Sequence, residues 1–146
     1  MKKVIVLLAV IWFSGCAMTG YVAGPGKQFR DAAVSVKEQR YKEAAAAYTK
    51  IVTDSPDSAL AADALFELAL VNAHHDNPQR DYAQSTRSFS EFIKRYPDNK
   101  RADEARTWIS VLKTVQELKK QNEHLNESIQ EIKRLDIRHE EKRKRK

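Results

Sequence analysis

Shifting the chain against itself by 41 residues, without a gap, places Tyr41 on Tyr82, Tyr48 on Phe89, Ile51 on Phe92, Val52 on Ile93 and Pro56 on Pro97. The same register pairs Asp57 with Asp98, Ala61 with Ala102 and Ala64 with Ala105. So many matching aromatic, apolar and proline positions mark an internal repeat, which confines the chain to units that stack on their neighbours. Within each unit the apolar residues recur three and four apart, the spacing of one helix face. Proline lacks an N–H and restricts the residue before it, so Ser55-Pro56 and Tyr96-Pro97 mark helix ends. Asp57-Ser58 and Asp98-Asn99 follow, with short polar side chains suited to capping the next helix. Alanines at 44, 45, 61, 64, 102 and 105 let neighbouring helices approach closely. The chain therefore reads as all-α, built from stacked helical hairpins. Its four glycines and four prolines in 146 residues leave few helix breakers to contradict that.

Ala44, Tyr48 and Pro56, and again Ser85, Phe89 and Pro97, hold the small, aromatic and proline spacing of tetratricopeptide repeats, which residues Gln28 to about Leu112 resemble. The unit is longer than the roughly 34 residues of that family. Its excess falls between Ser58 and Arg80, and the first helix, Gln28 to Gln39, lacks the aromatic-glycine signature. The segment Phe89 to Pro97 also resembles helical-repeat lipoproteins of the outer-membrane barrel-assembly machinery and a related periplasmic coordinator of envelope growth. That resemblance implies a noncatalytic adaptor with a concave groove for partner proteins. Two repeats give only a shallow groove, and about three are normally needed for an independent stack, so another element must cover the last repeat.

The cover is expected in the segment from Asn99, which runs to Lys146 without a glycine or proline. Trp108, Val111, Val115, Leu118, Asn122, Leu125, Ile129 and Ile132 are separated alternately by three and four residues, a heptad seam with Asn122 at an a position. Trp108 to Leu112 are expected to close the repeats, leaving Val115 to Ile132 to meet a helix of another molecule or to fold back on its own repeats. Val115, Leu118, Asn122, Leu125, Ile129 and Ile132 are thus the candidate coiled-coil residues, and a homodimer is one form of the contact. The e and g positions Lys119, Gln121, Asn126 and Ser128 offer no opposite-charge pairs. The string Leu118 to Ile137 also resembles the helical C-terminal region of outer-membrane lipoproteins associated with sensor histidine kinases. Glu140 with Lys144 and Glu141 with Arg145 are i,i+4 pairs that favour helix into the basic end. Lys142 to Lys146 are five consecutive positive residues, read as a solvated terminus or as a site of attraction to anionic lipid or another envelope polyanion. No aromatic residue interleaves them to stack on bases, so nucleic acid is not an expected partner.

At the other end, Lys2 and Lys3 precede the apolar run Val4 to Phe13, followed by Ser14-Gly15-Cys16, the layout of an export signal. The run is short of the roughly 20 residues that span a bilayer. Ser14-Gly15-Cys16, with Phe13 where leucine is usual, resembles the lipobox of bacterial lipoproteins. The resemblance implies a signal peptide over 1–15, cleavage before Cys16, a diacylglycerol on its sulfur and an acyl chain such as palmitate on its new amino group. It also implies, with Ala17 rather than aspartate next, the periplasmic face of the outer membrane. Cleavage there leaves 131 residues with 24 basic and 20 acidic side chains. Cys16 is the only cysteine, so no internal disulfide can contribute and packing alone must hold the fold. Gly20, Gly24, Pro25 and Gly26 predict a tether over 16–27, ahead of a repeat domain at 28–112 and a coiled-coil helix with basic tail at 113–146.

No phosphate loop, nucleophile elbow or cysteine-histidine pair occurs, so neither catalytic residues nor a cofactor are expected. His74 and His75 are adjacent, not the i,i+4 pair with which a helix binds zinc, and are expected at the surface or a helix end. Asn126-Glu127-Ser128 matches a glycosylation sequon, a pattern common by chance. Two functions fit: an envelope adaptor, in outer-membrane assembly or sensor-kinase regulation, or a structural protein bridging the membrane to a polyanionic layer.

Overall fold

The computed structural model describes residues 24–145, and within them it is all-helical: α1 (Pro25–Lys37), α2 (Tyr41–Asp54), α3 (Ala59–Ala73), α4 (Tyr82–Arg95) and α5 (Ala102–Lys144). Each helix packs on the one before it, and α1 also reaches α3, so the chain winds as successive hairpins into a single stack. The repeat seen by shifting the sequence is present in three dimensions. α2 and α4 begin at Tyr41 and Tyr82 and run for 14 residues each. Tyr48 and Phe89, Ile51 and Phe92, Ala61 and Ala102, and Ala64 and Ala105 are buried at matching places. Alanine at 64 and 105 leaves no side-chain bulk beyond Cβ, which is what brings α3 and α5 close to the helices before them.

The core is aromatic at its centre. Phe66 on α3 meets Phe89 and Phe92 of α4 edge-on, with ring centroids 5.0 and 5.3 Å apart. Phe29 of α1 meets Tyr48 of α2 in the same way at 5.3 Å. Trp108 of α5 lies parallel to Phe89 at 6.3 Å, and Leu112 is buried one turn further along. These two side chains close the second hairpin, as the sequence led us to expect.

Helix boundaries differ from expectation in two ways. α1 starts at Pro25 rather than Gln28, so 25–27 belong to the helix and not to the predicted tether. Proline suits the first helical position, where its missing N–H costs nothing, and the Gly24 carbonyl accepts from the Lys27 and Gln28 amides. The capping expected of Asp57-Ser58 and Asp98-Asn99 is only partly made. Ser58 sits at the N-cap of α3 without a side-chain cap bond, and Asn99 Oδ1 accepts from the amide of Arg101, the residue at the N-cap of α5. The cap that is made lies at Asp81, whose Oδ1 accepts from the Gln84 amide and starts α4.

The α1–α2 turn is a Schellman motif: the Arg40 amide donates to Ser35 O and the Gln39 amide to Val36 O. Gln39 occupies the left-handed position, φ 60°, where glycine is usual. The longer α3–α4 loop is held by buried Asn77, whose Nδ2 donates to Val71 O and whose Oδ1 accepts from the Gln79 amide.

A candidate interaction surface on the C-terminal helix

α5 is 43 residues long, a rod of about 64 Å at 1.5 Å per residue. Ala102, Ala105 and Leu112 are its buried residues, with Trp108 and Ile109 packed beside them, and together they form one stripe facing α4. Gln116 is the last half-buried position along that stripe, and from there almost every described residue is exposed. The expected alternative, in which Val115 to Ile132 fold back on the repeats, is therefore not the arrangement adopted. An unbroken helix with no glycine or proline has no hinge at which to turn.

The heptad seam leaves the packed stripe after its first member, Trp108, which stacks on Phe89. Val111 and Leu112 are successive residues, so their side chains diverge by about 100°, and Leu112 is buried while Val111 is 45 % exposed. Val111 thus belongs with the free surface, a correction to its expected role in closing the repeats. Of the six candidate coiled-coil residues, Val115, Leu118, Leu125, Ile129 and Ile132 are 36 to 58 % exposed, and Asn122 is exposed among them. The structure thus places all six on one solvent-facing stripe. Leu135 and Ile137 extend the exposed apolar surface, although Asp136 occupies the next a position. These exposed apolar residues follow one another along the helix, unlike the scattered ones on a folded protein that need no explanation. The signal that could have freed Val111 was its own seam spacing.

Polar residues concentrate at the middle of this stripe. Asn126 Nδ2 donates to Asn122 Oδ1 at 2.9 Å, and Gln121 Nε2 donates to Glu117 Oε1 at 2.9 Å. The helix runs into the basic end as far as Lys144, though Glu140 and Glu141 close no ion pair with Lys144 or Arg145. Exposed pairs of that kind contribute little, so their absence does not shorten the helix.

An open cleft lies between α5 and the end of the α3–α4 loop with the start of α4, lined by Arg80, Asp81, Tyr82, Gln116, Lys119 and Glu123. Its walls carry both signs of charge. His74 caps the C-terminal end of α3, as expected of a helix-end histidine, and its ring lies 4.8 Å from that of Tyr41. His74, His75 and Asp76 form the one cluster of possible metal donors among the described residues. The two imidazoles are stacked within 22° of parallel, so their in-plane lone pairs do not converge, and His74 Nδ1 already accepts from the Asp76 amide. The arrangement is that of a capped helix end.

Cys16 and the proposed leader lie outside the described residues. Among the described residues no helix is long and apolar enough to cross a membrane. Comparison with known proteins adds no relative: no family model matches the chain, and no curated protein matches it.

Proposed function

We propose that this chain is a membrane-anchored, noncatalytic lipoprotein of the bacterial envelope that serves as a protein–protein adaptor. In this reading Cys16 carries the lipid, α1 to α4 form a tetratricopeptide-like platform, and α5 projects from it to engage a partner. The observation that carries the proposal is the exposed apolar stripe on α5, set apart from the face that α5 uses to complete its own core. A helix that had only to close the bundle could end near Gln116. Instead it continues to Lys144, with an ordered heptad pattern as far as Ile132 whose apolar residues stay exposed. Outer-membrane assembly and sensor-kinase regulation are the two settings suggested by the resemblances in the sequence.

A second reading, a structural bridge from membrane to polyanionic layer, draws on the basic residues from Lys142, which the helix holds far from the bundle. Deleting 115–146 and cross-linking in intact cells separates the two. Loss of a discrete cross-linked protein supports the adaptor. Loss of general envelope association with no discrete protein supports the bridge, and no change in either contradicts both.

A further inference from the structure

We propose that the α5 stripe is covered by α5 of a second copy of this chain, in a parallel, in-register, two-stranded coiled coil. This names the occupant of the surface on which the adaptor reading rests. The adaptor reading survives its failure, because a different protein could then take the stripe.

Three features select this occupant. First, the layer chemistry from Val115 to Ile129 fits two strands: β-branched Val115 and Ile129 occupy a positions, and Leu118 and Leu125 occupy d positions, the combination that favours a parallel dimer, with only the last d residue, Ile132, departing from it. All four are exposed in the single chain and span a stripe that continues to Ile132.

Second, the one polar core position is self-complementary. In an in-register parallel pair Asn122 meets Asn122 of the second copy, and a single buried asparagine at an a position fixes register and strand number. Asn126 Nδ2 already donates to Asn122 Oδ1, leaving the Asn122 Nδ2 protons for the carbonyl oxygen of its counterpart. An antiparallel pair that aligns the same seam sets Asn122 against Leu125, where a buried amide has no such partner.

Third, the flanks tolerate the parallel pairing. Its g-to-e contacts join Thr114 to Lys119, Gln121 to Asn126 and Ser128 to Lys133, with no like charges opposed. The Gln121 and Asn126 amides meet at the level of Asn122, so the polar layer extends across the interface. Beyond Ile132, Asp136 takes the a position and would face its own copy, so the seam ends there and the basic tails splay apart.

The absence of any cysteine but Cys16 makes the test clean. In full chain carrying Cys16→Ser and solubilised in detergent, Leu118→Cys and Ile132→Cys are introduced separately and mildly oxidised. The proposal requires each single variant to form a disulfide-linked dimer in high yield. It is overturned if neither does, or if cross-links form only when Leu118→Cys chains are mixed with Ile129→Cys chains, the antiparallel pairing. Sedimentation equilibrium of the Cys16→Ser chain should give twice the chain mass, and a monomer mass contradicts the proposal. Leu125→Glu should weaken association at least tenfold, and because Leu125 is exposed its far-ultraviolet circular dichroism should still show a folded bundle. Asn122→Leu should tighten association while admitting more than one oligomer, and unchanged association with a single dimeric species would count against the role given to Asn122.

Discussion

The guanidinium of Arg101 lies 3.4 Å over the centre of the Phe66 ring, while its Nη1 donates to Glu67 Oε1 at 2.9 Å and its Nε to Glu104 Oε2 at 3.2 Å. Arg101 sits at the N-cap of α5, and Phe66 and Glu67 lie on α3, so one side chain ties the projecting helix to the centre of the stack. Burial alone would lower its pKa, but the bonds and charges of Glu67 and Glu104 outweigh that and hold it charged. Arg101→Ala should destabilise the bundle by about 1–2 kcal/mol through the combined loss of stacking and ion pairing. Arg101→Lys should lose much of this too, since an ammonium cannot make the same planar fork. Urea denaturation followed by Trp108 fluorescence measures both.

Ala105 has no exposed surface and stands where Ala64 stands in the first unit. Ala105→Leu inserts a side chain where α5 approaches α4 and should cost about 1–3 kcal/mol or more, as overpacking does. Ala105→Ser, close in size, should cost less. A thermal melt of the two variants beside the parent gives the order.

Gln39 adopts φ 60° in the turn between α1 and α2, where an L side chain crowds the backbone. Gln39→Gly should raise stability by up to about 1 kcal/mol, because glycine reaches this conformation without the penalty, offset in part by its greater freedom when unfolded. A loss of stability on the same substitution would show that the Gln39 side chain makes a contact worth more than the relieved strain.

Tyr48 is buried between α1 and its neighbours, and burial, followed by the charge of Glu67, pushes its hydroxyl up to about 12 from an ordinary 10.0. The fold therefore favours the neutral phenol. Its contribution is fully present below pH 10 and is lost as pH rises from 10 toward 12. Tyr48→Phe should flatten the loss of stability over that interval relative to the parent, measured by chemical denaturation at successive pH values.

Much of the fold was legible in the sequence because the repeat repeats physics. Tyr41 and Tyr82 start equal helices, and Pro56 and Pro97 follow their ends. What escaped was local. Pro25 looked like a breaker among glycines, yet at a first helical position it is a helix starter. Asp81, three residues before Gln84, holds the position of a cap, which the repeat pattern does not reveal. The heptads place Val111 with its neighbour Leu112 against the repeats, because one stripe of heptads does not say which side of a helix the preceding hairpin will take. That choice is tertiary: Phe89 stacks on Trp108 and α5 meets α4 by the face bearing Ala105 and Leu112, so the seam beyond Trp108 is left outside.

The anchor is the claim on which the envelope reading depends. Intact-mass and N-terminal peptide analysis of the protein extracted from membranes of its own cells tests it most directly. The account predicts a chain that begins at Cys16, with a diacylglycerol on its sulfur and an acylated amino group. A chain retaining residues 1–15, or cleaved elsewhere with Cys16 bearing a free thiol, would contradict it.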